Sequence, residues 1–456
     1  MKALVFERNL ARFAASRVVS SLAGSGKGAS VAPLRLTDLE APTPPRPGWY
    51  RVRPRLAGIC GSDLATLDGR SSRYFEDLVS FPFVPGHEIV GVVEESFGVN
   101  RTTTTGELAP GVREESFGTN GTITAGELAP GARVVVESVL GCVARGITPP
   151  CRACTQGRSG GCERVGFGHI SPGLQIGYCA DTGGGWSNAG VLAHETQLHL
   201  VPDELSDEEA VMVEPTACAV HAAIRAEVDP GDTVAVLGAG TLGLTTVAAL
   251  RSLTEPAALF VGAKHPHQRR LAQELGADAA VPPAQLGRAV RRQSRSLATA
   301  ERSHQLTGGA DVVVDCVGSA ESIAEALSIV CPRGRLVLVG MPGNVRVDLA
   351  PLWHRELTLT GAYAYGTEDL AGSPRRTFDM AMELVVSCDL GRLVSARYPL
   401  DRFEEALAHA GAAGRRGAIK IVFDLRKVPV WHSGTRVATT RPRPRTRPRT
   451  REGATS

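Results

Sequence analysis

Apolar and polar positions follow two different patterns along this chain. Up to about Pro202, short apolar runs (RVRPRLAGICG, HEIVGVVEE, ARVVVE and LHLVP) are punctuated by Gly and Pro. This spacing predicts many short strands in a small, partly open β-barrel. From Thr233 the texture changes to TVAVLGAG, AALFVGA, DVVVDCVG and GRLVLVG, separated by helical stretches such as HQRRLAQELGA and ESIAEALSIV. Unbroken apolar strands alternating with helices predict a doubly wound parallel sheet, an α/β architecture. Between the two patterns lies SDEEAVMV, where Ser206 and Glu209 form a capping box and Asp207 and Glu208 favour the positive end of a helix. After LTLTGAYAYG the pattern is mixed up to Asp424, and this stretch is expected to rejoin the first domain. The expected division is residues 1–217 with 364–424 as one domain, 218–363 as the inserted sheet domain, and 425–456 as a tail.

A chain of 456 residues exceeds one compact core, which agrees with two domains and some excess. No apolar stretch reaches the roughly 18 residues that span a bilayer, so no membrane partner is expected. Lys2, Arg8, Arg12 and Arg17 among small residues have the composition of a transit peptide. MKALVF reads equally as a strand, however, and Glu7 does not suit a leader. The expected location is the cytoplasm.

Two segments look added. Residues 94–113 are followed at once by a near copy, 114–133, identical at 15 of 20 positions. Their Thr/Gly-rich content predicts a surface loop. From Arg426 onward the chain carries +8, so the net charge of +3 for the whole chain leaves the body near −5. The tail TTRPRPRTRPRTREGATS has too few apolar residues to fold, and a solvated extension is expected ahead of nucleic-acid binding.

Gly238, Gly240 and Gly243 form G-x-G-x-x-G between the strand ending at Leu237 and the helix beginning Thr241, Leu242. The first glycine permits the turn, the second a close approach of a pyrophosphate, and the third helix–strand packing. Val317, ending DVVVDCVG, is a further candidate at the cofactor. An NAD site usually ends its second strand in an acid. Here the chain reads Val261, Gly262, Ala263, Lys264, His265. Lys264, with Arg269 beyond it, could meet a ribose 2′-phosphate, which favours NADP over NAD.

Cysteines clustered in a reduced chain point to metal. Cys60, His87, Glu88 and Glu214 offer a thiolate, an imidazole and carboxylates, a set that leaves a zinc position open to substrate. Cys142, Cys151, Cys154 and Cys162 have the number, and in the C-x-x-C pair the spacing, of a closed four-thiolate zinc site. The arm after Cys142 is long for such a lobe.

GICGSDL, GHEIVGVV, the four-cysteine lobe and VAVLGAGTLGL, in this order, resemble the zinc-containing medium-chain alcohol dehydrogenases. EPTACAVH looks like the sorbitol and threonine dehydrogenase branch. The resemblance covers Met1 to about Asp424. It implies a GroES-like catalytic domain with an inserted Rossmann domain, and an assembly of two or four copies. It places Cys60 and His87 on catalytic zinc ligands, and Glu88 and Glu214 on two acidic positions that exchange at the metal. Ser62 matches the hydroxyl that relays the alcohol proton, Asp63 the carboxylate that orients the histidine, and Lys420 a basic contact to the pyrophosphate. Ala65 departs from the liver-type enzymes, which place a relay histidine there.

The expected function is zinc-dependent hydride transfer between a small alcohol or polyol and NAD(P). Its rivals are a zinc-independent quinone or enone reductase and a dinucleotide-binding protein that holds nucleic acid with its tail. Phe81, Phe83 and Trp353 are candidate pocket walls, with core packing the simpler expectation.

Overall fold

The computed structural model describes residues 1–97, 128–299, 305–370 and 372–426. The expected surface loop and tail, apart from their edges, lie outside these residues. Strands β1 (Lys2–Phe6) and β2 (Leu34–Asp38) pair antiparallel. They are followed by β3 (Trp49–Gly58), β4 (Ile89–Phe97), β5 (Arg133–Val136), β6 (Val191–His194) and β7 (Leu198–Leu200). The second part contains β8 (Thr233–Leu237), β9 (Ala258–Gly262), β10 (Ala279–Val281), β11 (Ala310–Asp315), β12 (Val330–Leu338) and β13 (Thr358–Gly361). A hairpin of β14 (Thr367–Leu370) and β15 (Ser373–Arg376) then leads to β16 (Val394–Tyr398) and β17 (Lys420–Asp424).

The second part is a six-stranded parallel sheet ordered β10-β9-β8-β11-β12-β13. Its order reverses beside β8, which makes the carboxyl end of β8 the switch point where such sheets bind ligands. Val234, Ala235, Val236, Val312, Val313 and Val314 have no exposed surface, as strands covered on both faces require. The first part is a seven-stranded sheet ordered β16-β17-β3-β4-β5-β7, with β6 also on β3. The chain therefore returns after the parallel sheet, and β17 lies antiparallel to β3.

The capping box forms as the sequence predicts. Ser206 Oγ accepts from Glu209 N at 3.2 Å, and Ser206 N donates to Glu209 Oε2 at 2.8 Å. The expected boundary between residues 217 and 218 falls inside one continuous helix, Val213–Arg225, which packs on the helices Thr241–Leu253 and Thr377–Ser387. Its buried alanines and valines share one core with both parts, so the chain has no break there.

MKALVF is a strand, as the sequence allows, and residues 10–23, for which the sequence suggests no element, form a helix between β1 and β2. Asn9 Oδ1 caps it at the amide of Arg12, and Gly24 with φ +105° ends it. Phe83 is core, stacked on Phe6 at 5.1 Å, and Phe81 packs beside both. Trp353 is neither core nor a visible pocket wall. It stands 83% exposed on the short helix Ala350–His354, ahead of the edge strand β13.

Candidate active site

Two chain segments, one after β3 and one entering β4, bring candidate metal ligands together. Cys60 follows β3 as the N-cap of the helix Gly61–Leu67, and its amide donates to Asp63 Oδ2 at 3.0 Å. His87 and Glu88 enter β4 after a turn at Gly86, whose φ of +94° and tight contact with Trp186 leave no room for a side chain. One donor atom each from Cys60, His87 and Glu88 lies within 4.8 Å of the others. Asp63 is buried, with Oδ1 at 3.5 Å from His87 Nδ1 and 3.3 Å from the Tyr178 hydroxyl. The ring's Nδ1 thus faces Asp63, leaving Nε2 as its remaining donor. Ser62 is half-buried, and its hydroxyl has no hydrogen-bond partner among the described residues.

Glu214 stands in the first turn of the helix Val213–Arg225, outside this trio. Burial, helped by the charge of Glu88 and opposed by His87 and Lys420, pushes its pKa up to about 7. Of the two acids expected to exchange at a metal, Glu88 is therefore the one that converges with Cys60 and His87.

Lys420 departs from expectation. It was expected to reach a cofactor pyrophosphate, but it is 1% exposed and its ammonium forms an ion pair with the equally buried Glu88. Burial works against its charge, yet Glu88 and Cys60 keep its pKa above the ordinary lysine value. A buried ammonium needs a counter-charge, and Glu88 is the one at hand. Only glycine fits at position 58, where a Cβ would lie 1.7 Å from Glu88 Oε2.

Three residues that the sequence did not single out face the same space. Tyr365 accepts from the Ser138 amide at 2.9 Å, and its phenol works against the rise in the pKa of Glu214. Cys218 lies one helical turn after Glu214, its sulfur 3.9 Å from Oε1. Tyr363 keeps nearly half its surface exposed while its phenol feels the charges of His87, Cys218 and Glu214. The segment carrying both tyrosines follows β13, and the alternating run GAYAYG was the available signal.

The glycine loop is open where a ligand must approach. Gly238 has φ +91° with Val317 packed over it, and a Cβ on Gly243 would lie 2.0 Å from the Gly238 carbonyl oxygen. Gly240 has nothing within 4 Å of its Cβ position and caps the helix Thr241–Leu253. The free amides of that helix end, beginning at Thr241 and Leu242, suit a pyrophosphate. At the end of β9, His265 and His267 stack at 5.8 Å, and Arg269 folds back on the carbonyls of Ala263 and Lys264. Burial, with the neighbouring groups His267, Lys264, Arg415 and Arg269, pushes the pKa of His265 down. Arg415 comes from the other part of the chain and was not foreseen.

Cys142, Cys151, Cys154 and Cys162 also converge, each with its sulfur within 4.8 Å of the others. The amides of Cys142 and Cys151 donate to sulfurs at 3.3 Å, as thiolates around a cation require. The long arm after Cys142 is closed by Arg145. Its fully buried guanidinium donates to the carbonyls of Leu140, Phe167, Ile170, Ser171 and Gly173.

Comparison with known proteins agrees with this geometry. Residues 46–203 match the alcohol dehydrogenase GroES-like domain and residues 241–385 the zinc-binding dehydrogenase family. The chain is 29% identical over 383 residues to a sorbitol dehydrogenase of Arabidopsis thaliana, covering 83% of this chain and 89% of that protein. It is 27% identical over 379 residues to an L-idonate 5-dehydrogenase of Vitis vinifera, covering 82% and 87%. A structure described as a zinc-binding dehydrogenase from Sinorhizobium meliloti, bound to NADP, superposes with a TM-score of 0.61 at 26% identity, over 86% of this chain and 96% of that one. An alcohol dehydrogenase from Thermus gives 0.62 at 23%, over 93% and 100%. With an open glycine loop, a thiolate–imidazole–carboxylate trio and a four-thiolate lobe on this two-part fold, the chain belongs to the zinc-containing medium-chain alcohol dehydrogenases, in their sorbitol dehydrogenase-like branch.

Proposed function

We propose that this chain transfers hydride between a polyol and NADP, with Cys60, His87 and Glu88 as the protein ligands of a catalytic zinc. The observation that carries the reading is the convergence of those three donors in a chain that also has an open dinucleotide loop. Zinc, when bound there, supplies the Lewis acidity that lets an alcohol lose its proton near neutral pH. Asp63 holds the His87 ring, and the unbonded hydroxyl of Ser62 takes the alcohol proton. Glu214 is a second carboxyl group near the trio, in reserve beside Glu88. Lys420 neutralises Glu88 from behind, and Tyr363 forms the exposed wall against the alcohol. The polyol class is supported by relatives named sorbitol dehydrogenase, L-idonate 5-dehydrogenase and D-xylulose reductase. A second, structural zinc belongs to the four cysteines.

The preference for NADP rests on Lys264, His265, Arg269 and Arg415 around the place of the ribose 2′-phosphate, with Glu321 as an acid that feels Lys264. Charge-assisted contacts of this kind contribute about 1.5–3 kcal/mol each. Arg415→Ala should therefore raise the KM for NADP by at least about tenfold and leave that for NAD almost unchanged. The proposed domains are 1–217 with 364–424 and 218–363, although the helix Val213–Arg225 bridges them. The proposed assembly is a homo-oligomer built on the edge strand β13, beside which Leu349, Trp353 and Leu359 are exposed. Light scattering should find Trp353→Asp monomeric. Four cysteines gathered for a metal rather than paired in disulfides suit the cytoplasm.

The deciding test is Cys60→Ser. It should lose one zinc and turnover of sorbitol, L-idonate and D-xylulose, while calorimetry still finds NADP bound. Turnover by metal-free protein would overturn the reading.

A further inference from the structure

The helix Leu10–Ala23 faces the wrong way for a helix packed on a globular domain. Its two fully buried residues, Ser16 and Ser20, are polar, and only the half-buried Phe13 packs on the core beside them among its large apolar residues. Ser16 donates to the carbonyl of Leu67, Ser20 donates to Asp68 at 2.7 Å, and Arg12 turns inward to the carbonyl of Ala32 at 2.9 Å. Its outward side is apolar. Leu10, Val18 and Leu22 are 67%, 59% and 84% exposed, and Ala11, Ala14 and Ala15 are exposed between them. At 100° per residue these six positions, with exposed Ser21 among them, occupy an arc of roughly 140°, the width by which a helix normally meets a core. Among the described residues nothing covers it.

We propose that this face is a docking surface for an anionic lipid bilayer. The charge around it selects that occupant. No acid occurs between Glu7 and Asp38, while Arg8, Arg12, Arg17, Lys27 and Arg35 do. Arg8 and Arg35 are answered by Glu76 and Glu7, and Arg12 by backbone carbonyls. Arg17 and Lys27 are exposed and have no ionic partner among the described residues. An apolar helix face flanked by the free cation Arg17, with a second free cation, Lys27, in the turn that follows the helix, has the chemistry of a helix lying in the plane of a membrane interface. The segment is a basic island on a body of net charge near −5. A second copy docking helix to helix would bring Arg17 and Lys27 against their own like charges, which disfavours that occupant. Attachment of this kind needs no spanning segment, so it is compatible with the absence of any helix long and apolar enough to cross a bilayer among the described residues. It revises the expectation that no membrane is a partner.

The test is co-sedimentation of the full-length, zinc-loaded protein with vesicles of equimolar phosphatidylglycerol and phosphatidylcholine, and with phosphatidylcholine alone. The protein should bind the anionic vesicles only, and added salt should weaken binding. The double variant Val18→Ser/Leu22→Ser keeps every charge and should lower partitioning by at least about tenfold. Arg17→Gln/Lys27→Gln should lower it also, with turnover unchanged in both. Failure of the wild-type protein to bind, or equal binding by the serine variant, overturns the proposal, the latter result moving the affinity to the Arg-rich end of the chain. Loss of an oligomer in the serine variant without vesicle binding by the wild type assigns the face to a second copy and also overturns it.

Discussion

Lys420 and Glu88 share a closed space, and under the proposed function the carboxylate has two claimants: the ammonium behind it and the metal proposed among Cys60, His87 and itself. Lys420→Met keeps the volume and removes one claimant. In chelated protein Glu88 then becomes a buried carboxylate with no partner, a change that costs about 3–5 kcal/mol. At roughly 2 °C per kcal/mol for a large chain, the melting temperature of the chelated form should fall by about 6–10 °C. In zinc-loaded protein the metal offers the missing positive charge, so the loss should be less than half as large. The gap in melting temperature between the two forms therefore widens. The double variant Glu88→Gln/Lys420→Met should recover much of the chelated form's stability, since the two effects are coupled. Scanning calorimetry on both forms of each variant measures this. If chelated Lys420→Met melts with the wild type, or the gap does not change, Glu88 is not held between two cations and the reasoning fails.

Gly58→Ala would set a methyl group 1.7 Å from Glu88 Oε2 and 2.9 Å from Lys420 Cε. Zinc affinity, read by competition with a chelator, should drop by about tenfold to a hundredfold, and an alanine variant that holds zinc normally would show the carboxylate unneeded. Glu137 is buried between His199, at 2.9 Å, and Arg376; burial raises its pKa, but the two partners outweigh this and hold it below the ordinary 4.5. The interaction therefore stabilises above about pH 4.5 and is lost as pH falls through the lower folded value. Arg376 is 40% exposed, so Arg376→Met should cost only about 1–2 kcal/mol at neutral pH, and denaturant curves should converge with those of the wild type in acid; a difference that persists there would locate the effect elsewhere. Gly160 in the cysteine lobe would place a Cβ 3.3 Å from the Tyr363 carbonyl and 3.5 Å from its ring. Gly160→Val should displace that ring at a cost of about 1 kcal/mol, raising the polyol KM roughly fivefold, with zinc content and the NADP KM unchanged; a normal polyol KM would remove Tyr363 from the pocket.

What was readable in the sequence is what short-range geometry dictates. Gly238 and Gly243 announce themselves because no other residue tolerates the turn and the contact they make. The Ser206–Glu209 cap is complete within four residues. The cysteines were readable by number, although the arm after Cys142 looked too long, because the residue that folds it, Arg145, draws its acceptors from up to 28 positions away. The helix Leu10–Ala23 was missed for the opposite reason. Amphipathicity signals a helix most clearly when its apolar side meets the core, and here Ser16 and Ser20 are the residues fully buried, with Phe13 beside them.

The misplacement of Lys420 has the same origin and says most about the site. Its place in the chain is where a cofactor contact is expected, and its neighbour Ile419 does touch the cofactor loop, accepting from Thr241 Oγ1 at 3.4 Å. Which way the ammonium turns depends on charge from β4, more than 300 residues earlier. An exposed glutamate at position 88 would leave Lys420 free to face the pyrophosphate; a buried one captures it. Two consecutive residues entering β17 therefore touch different parts of the proposed site, Ile419 the end of the glycine-rich loop and Lys420 the carboxylate of Glu88. A shift of this strand at Ile419 would reach Glu88 through one peptide bond and the Lys420 ion pair.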